Sequence, residues 1–168
     1  MLKHEIPYQT NSAALFAKIA DWPWAVFLDS GQPTSQFGRY DIMVANPFVR
    51  LVTNGEQTVI TDADRERSSS SDPFELLKET LAPYQTTKTA LPFEGGAIGY
   101  FAYDLARRVE HLPSVALDSE NMPQMMVGIY DWAVVVDHQS QRAYLVSHCK
   151  HPQTDQDWPK LCALDRAI

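Results

Sequence analysis

A chain of 168 residues with 21 acidic side chains against 14 Lys and Arg carries a net charge of −7, which argues against a nucleic-acid surface, because phosphate binding rests on clustered cations. The length suits one domain, 1–168, with a core that buries about 70% of the surface of the unfolded chain. Cys149 and Cys162 make no disulfide framework, no charged-then-apolar leader opens the chain, and no apolar run nears the roughly twenty residues that cross a bilayer, so a reducing cytoplasm is the expected setting.

Little can be read before Asn11, an N-cap for a helix whose stripe uses Ala14, Leu15, Ile19 and Trp22 and which Pro23 closes. Residues 24–28 are an almost wholly apolar run that reads as a buried strand, ended by the turn residues Asp29-Ser30-Gly31. After a loop over 32–38, residues 39–45 and 48–52 read as strands separated by Asn46-Pro47. Asn54-Gly55 is the strongest hairpin signal in the chain and leads to a strand at 58–60. Residues 62–71 alternate charges and then run through four serines, so an exposed loop is expected there. Asp72-Pro73 is a cap followed by a first-turn proline, and Phe74, Leu77, Lys78 and Leu81 continue a helix to about Pro83.

The most informative stretch follows a polar loop at 85–90. Three glycines in five residues, Gly95, Gly96 and Gly99, precede three aromatics in four, Tyr100, Phe101 and Tyr103. The pattern predicts a strand that passes close to another backbone, with Gly99, Phe101 and Tyr103 on one side, Ile98, Tyr100 and Ala102 on the other, and both sides covered. Leu105, Val109 and Leu112 then fall on one helical stripe, with Asp104 placed to cap it and pair with Arg108, and Pro113 ends the turn. A polar connection over 114–121 leads to the longest strand candidate, 125–136, in which Asp131 shares a face with Val127, Ile129, Ala133 and Val135. A carboxylate there needs a hydrogen-bonding partner or, as the commoner solution, a bulge that turns it outward. A hairpin loop at 137–141 returns the chain as a strand over 142–147. A helix over 155–168 places Trp158, Leu161, Leu164 and Ile168 on one stripe without a C-cap glycine, from which further residues are expected downstream. No internal repeat is evident. The sum is an α+β fold, mainly antiparallel β-sheets in a sandwich-like arrangement with helices packed outside.

Chemistry is sparse. The glycine stretch lacks the Lys-Ser/Thr of a phosphate loop and the long helix of a dinucleotide fold. His148-Cys149-Lys150-His151 offers three ligand types in four residues but has no second cluster at zinc spacing, so polar residues leaving a strand are the simpler reading. Gly-x-Ser-x-Gly and His-Glu-x-x-His are absent from the sequence. Glu94, Asp104 and Glu110 read as a loop anion, a cap and a pair partner.

Resemblance adds a further reading. Pro92-Phe93-Glu94-Gly95-Gly96-Ala97-Ile98-Gly99-Tyr100, then Tyr103-Asp104-Leu105 and Glu110-His111-Leu112-Pro113, resembles the N-terminal domain of the chorismate-utilising anthranilate synthase and aminodeoxychorismate synthase large subunits. The run from Met122 to Gln139 is most similar to the aminodeoxychorismate synthase, para-aminobenzoate (folate) branch. The resemblance implies a polypeptide truncated here before a C-terminal chorismate-binding catalytic domain, which would hold Mg²⁺, and a glutamine amidotransferase subunit as partner. It implies no catalytic residue in this chain; that no nucleic-acid or membrane partner is expected rests on the charge and the apolar-run lengths given above. It also implies a tryptophan pocket. The family's Leu-Leu-Glu-Ser element corresponds to Phe27-Leu28-Asp29-Ser30 and its Ser-Arg-Tyr/Phe element to Gly38-Arg39-Tyr40, preceded by Phe37, with Asp29 in place of glutamate and Gly38 in place of serine. Phe27, Phe37 and Tyr40 would wall an indole and the Ser30 hydroxyl would meet the zwitterion, with Leu28 and Arg39 counted among the pocket residues. The alternative is that these residues are plain strand and turn core. The rival identities are anthranilate synthase component I, feedback-inhibited by tryptophan, and a free-standing small-molecule-binding module, which a stop codon after Ile168 would favour.

Overall fold

The computed structural model of the chain describes residues 1–63, 65–85, 89–108, 121–148 and 150–163. In chain order the elements are β1 (Leu2–Ile6), α1 (Ala13–Phe16), β2 (Val26–Leu28), β3 (Tyr40–Val44), β4 (Val49–Asn54), β5 (Gln57–Asp62), β6 (Arg65–Ser69), α2 (Pro73–Leu81), β7 (Gly96–Phe101), β8 (Met125–Tyr130), β9 (Trp132–Asp137), β10 (Arg142–Ser147) and α3 (Pro152–Ala163). They make two antiparallel five-stranded sheets, ordered β1-β10-β9-β3-β2 and β6-β5-β4-β8-β7. The expected α+β class and its mainly antiparallel sheets are what the chain adopts.

Three apolar clusters hold the layers. Leu15 and Ile19, with α3's Leu161, pack on Met43, Trp132, Val134 and Leu145 of the first sheet. That sheet's opposite face, with Val44, Val135, Tyr144 and Val146, meets Ile98 and Tyr130 of the second sheet. Leu76 of α2 covers the second sheet's Leu51, Ile60, Val127 and Ile129. Tyr130 is almost wholly enclosed, its hydroxyl donates to the Trp24 carbonyl at 2.9 Å, and burial pushes its phenol up to about 12.

Four expectations change. The run 125–136 is two strands in different sheets, broken at Asp131. Instead of bulging outward, Asp131 is buried and accepts backbone N–H bonds from Lys150 and His151, both at 3.0 Å, so the chain crosses between sheets over a satisfied carboxylate. The opening residues form β1, whose alternation of Leu2, His4 and Ile6 with Lys3 and Glu5 finds its partner only in β10, some 140 positions away. Within the expected loop, Arg65–Ser69 is an edge strand on β5. Its side chains stay largely in solvent as composition required, but its backbone gains a ladder that composition does not report. The first helix is a single α turn that continues as looser turns to Trp22, with Asn11 accepting the Ala13 N–H at 3.1 Å.

α2 begins as expected, Asp72 accepting from Phe74 and Glu75 at 2.9 and 3.1 Å with Pro73 behind it. The glycines also behave as expected. A Cβ on Gly99 would lie 2.0 Å from the Met126 carbonyl oxygen, so β7 can approach β8 only without a side chain there. The covering of both faces does not extend to the end of β7, where Phe101 is half exposed and stacks on Phe74 at 5.3 Å. Tyr103 begins a 3₁₀ turn over Tyr103–Arg108 and is exposed instead of continuing the strand. The expected helical positions Val109, Glu110, Leu112, Leu164 and Ile168, the polar connection 114–120, and the side-chain pairing of Asp104 with Arg108 lie outside the described residues.

Candidate functional site

The pleat of β2 and β3 decides how the expected pocket residues are placed. Val26 and Leu28 point to the inter-sheet face and Phe27 to the other, where its ring stacks on Phe16 at 5.2 Å beside Met43. Tyr40 lies on the inter-sheet face with Ile42, whereas Phe37 is 89% exposed. Phe27, Phe37 and Tyr40 therefore do not wall one slot. What the fold does gather at this end of the sheet is Leu28, Ser30, Arg39 and Tyr40. Leu28 is 45% exposed, and the Arg39 guanidinium lies 4.5 Å from the Tyr40 ring centre. Ser30 donates its backbone N–H to Asp41 Oδ1 at 2.8 Å, while its hydroxyl is buried and makes no well-formed hydrogen bond. Gly38 is fixed by the same turn, since a Cβ there would come within 2.3 Å of the Ser30 carbonyl oxygen. The family's serine at that position would not fit this backbone.

Beneath this end lies a polar cluster that sequence proximity could not reveal. The His138 ring takes Tyr8 Oη on Nδ1 at 3.0 Å, and its Nε2 lies 2.8 Å from Asp41 Oδ2 and 3.3 Å from Ser12 Oγ. Both Asp41 and His138 are nearly sealed from solvent. Burial alone would raise the Asp41 carboxyl, but bonds from His138, Ser12 and the Ser30 backbone outweigh it, and the carboxyl is held below its usual range. A Ser, a His and an Asp meet here without forming a relay, because Ser12 and Asp41 share one ring nitrogen and Ser12 is itself buried. Next to it, Arg39 grips Asp137 bidentately at 3.0 and 2.9 Å and holds that carboxyl at about 2. The only sequence signal for the cluster is Asp41 inside an otherwise apolar run.

The His148-Cys149-Lys150-His151 segment is divided by its surroundings. His148 Nε2 pairs with the buried Glu94 carboxylate at 3.1 Å, which corrects the reading of Glu94 as a loop anion. His151 stacks on Phe48 at 4.8 Å and accepts the Gln153 N–H on Nδ1. Cys149 lies outside the described residues. Among the described residues no three His, Cys, Asp or Glu side chains gather as a metal site, and no helix is long and apolar enough to cross a membrane.

A cavity of about 500 Å³ opens beside the Asp131 crossing, between α3 and the β4–β5 hairpin, with Trp22, Phe48, Arg50, Trp132 and His151 among its walls. This size lies within the range of small-molecule pockets. Sequence reading missed it because its residues come from five separate segments.

The family model described as chorismate binding enzyme matches residues 25–164. The chain is 42% identical over 136 residues to aminodeoxychorismate synthase component 1 of Escherichia coli (strain K12), covering 79% of this chain and 30% of that protein. It is 40% identical over 157 residues to the protein of the same name from Klebsiella aerogenes, covering 91% and 35%, and 28% identical to anthranilate synthase component 1 of Acetivibrio thermocellus, covering 91% and 31%. The chain thus spans about a third of the length of the curated relatives it matches. The crystal structure of anthranilate synthase component I from Streptococcus pneumoniae TIGR4 superposes with a TM-score of 0.63 at 20% identity, over 99% of this chain and 36% of that one, a likeness of fold. With a fold shared over nearly its whole length and a family match from the second strand into the last helix, the chain belongs to the chorismate-binding enzyme family.

Proposed function

We propose that this chain is the N-terminal, non-catalytic domain of an aminodeoxychorismate synthase component 1. The whole polypeptide would aminate chorismate to 4-amino-4-deoxychorismate in the cytoplasm, on the route to para-aminobenzoate and folate, with ammonia released from glutamine by a component 2 amidotransferase. Chorismate and Mg²⁺ would be held by residues outside this chain. The observation that carries the reading is the identity of 38–42% to three such components, against 28–32% to three anthranilate synthases. The domain's part is to brace the catalytic domain and to offer some of the amidotransferase interface.

An aromatic amino acid, tryptophan, is the proposed ligand of the Leu28, Ser30, Arg39 and Tyr40 end. Leu28 and Tyr40 offer apolar surface on one face, and the Ser30 hydroxyl has hydrogen-bonding capacity to spare. Two experiments test these proposals. The 168-residue chain, given chorismate, ammonia and Mg²⁺, should yield no aminated product, and turnover by this chain alone would overturn the assignment. Joined to the remaining two-thirds and supplied with glutamine and component 2, it should release aminodeoxychorismate, whereas anthranilate and pyruvate would move it to the ortho branch. Tryptophan at millimolar concentration should raise the melting temperature of the chain, and Ser30→Ala should diminish the shift. No shift with the unaltered chain would remove the ligand proposal and leave the assignment standing.

A further inference from the structure

We infer that the cavity beside the Asp131 crossing is a binding site for a small planar carboxylate, distinct from the amino-acid site proposed above. Its hydrogen-bonding inventory is lopsided. Every carboxylate on its wall is already engaged: Asp131 by the Lys150 and His151 backbone N–H groups at 3.0 Å each, and Asp157 by Gln153 Nε2 at 3.0 Å and Lys160 Nζ at 3.1 Å. The donors are not. Among the described residues the Arg50 guanidinium pairs with no carboxylate and only faces the Trp24 ring at 5.7 Å. His151 accepts the Gln153 N–H on Nδ1, so the neutral ring carries its hydrogen on Nε2, which makes no bond among the described residues.

A half-enclosed space whose carboxylates are spent and whose Arg50 and His151 donors are not selects an acceptor-rich, anionic group, and a guanidinium presents its N–H groups in the fork that a carboxylate matches. The walls select the rest of the ligand. Trp22, Phe48 and Trp132 line the cavity, the His151 and Phe48 rings lie within 17° of parallel, and such surfaces favour a flat ring over an alkyl chain. The cavity shares no lining residue with the Leu28, Ser30, Arg39 and Tyr40 group, so the two sites can be lost separately.

The test uses benzoate as probe and benzamide, its uncharged isostere, on the 168-residue chain, read by amide and indole NMR shifts. Benzoate should shift Trp22, Arg50 and His151 saturably with a Kd on the order of 1 mM, as the size of the probe allows, and benzamide should bind at least about tenfold more weakly. Arg50→Met should weaken benzoate about tenfold, and His151→Phe, which keeps the stack on Phe48 and removes the donor, should weaken it by a smaller factor. Arg67→Ser, on β6 and outside the cavity lining, should leave it unchanged. Equal affinity for benzoate and benzamide, no saturable shift at about 20 mM benzoate, or unaltered affinity in Arg50→Met and His151→Phe proteins of unchanged melting temperature would each overturn the inference.

Discussion

The two sheets have the same number of strands and differ in what lies against them. The first is covered on one side by the α1 and α3 segments and on the other by residues of the second sheet, so every residue of β9 is buried. The second is covered fully only by α2. Its far face leaves Arg50, Val52, Val59 and Tyr100 partly exposed, and its edge strand β6 carries Arg65, Glu66 and Arg67 in solvent. Strands covered twice read as unbroken apolar runs, and strands covered once alternate. The first sheet should therefore hold most of the stability, and the second most of the tolerance to change.

The sharpest way to break this contrast is to empty equivalent volume in each sheet. Val135→Ala, in the doubly covered sheet, should cost about 2–3 kcal/mol, whereas Val52→Ala on the far face of the other should cost about 1 kcal/mol, both read by urea denaturation. Similar losses would mean that the far face is covered in solution. A smaller effect sharpens the contrast at the ionic end of the first sheet. Asp137 is held at about 2 by Arg39, and its folded value lies below its unfolded one, so its contribution is complete above the usual carboxylate range near pH 4 and disappears as pH falls toward 2. Asp137→Asn should cost about 1–2 kcal/mol at neutral pH, discounted because Arg39 is half exposed, and should flatten the acid limb of the stability profile. Asp41, Glu5 and Asp157, depressed in the same direction, contribute to the slope that remains. Smaller still, Tyr130→Phe, which removes the bond to the Trp24 carbonyl, should cost about 1 kcal/mol. Arg67→Ser on β6 should stay within about 0.5 kcal/mol of the unaltered chain.

The same contrast explains what could be read from residues alone. The Asp72-Pro73 cap, the Asn54-Gly55 hairpin and the close-packing glycines are local devices, and each formed where its residues stand. The break at Asp131 was hidden because both halves of 125–136 are buried, and a buried run carries no mark of which sheet it joins. The pocket residues were harder. A resemblance can bring Phe27 and Tyr40 to the same end of the sheet, but the two-residue pleat, not the motif, decides that their rings face opposite sides. Asp41 with His138, and Glu94 with His148, are pairs set by strand order across long separations.

The crossing at Asp131 also has a meaning for synthesis. β8 fills the gap between β4 and β7, and β9 the gap between β3 and β10, so one late stretch of chain supplies an interior strand to both layers. Until Met125–Tyr130 and Trp132–Asp137 have left the ribosome, β3 and β4 each keep one ladder of backbone groups open to any strand that passes. The nascent chain is therefore most vulnerable to mispairing just before Met125–Asp137 appears, and once this stretch appears both layers gain the strand that closes them.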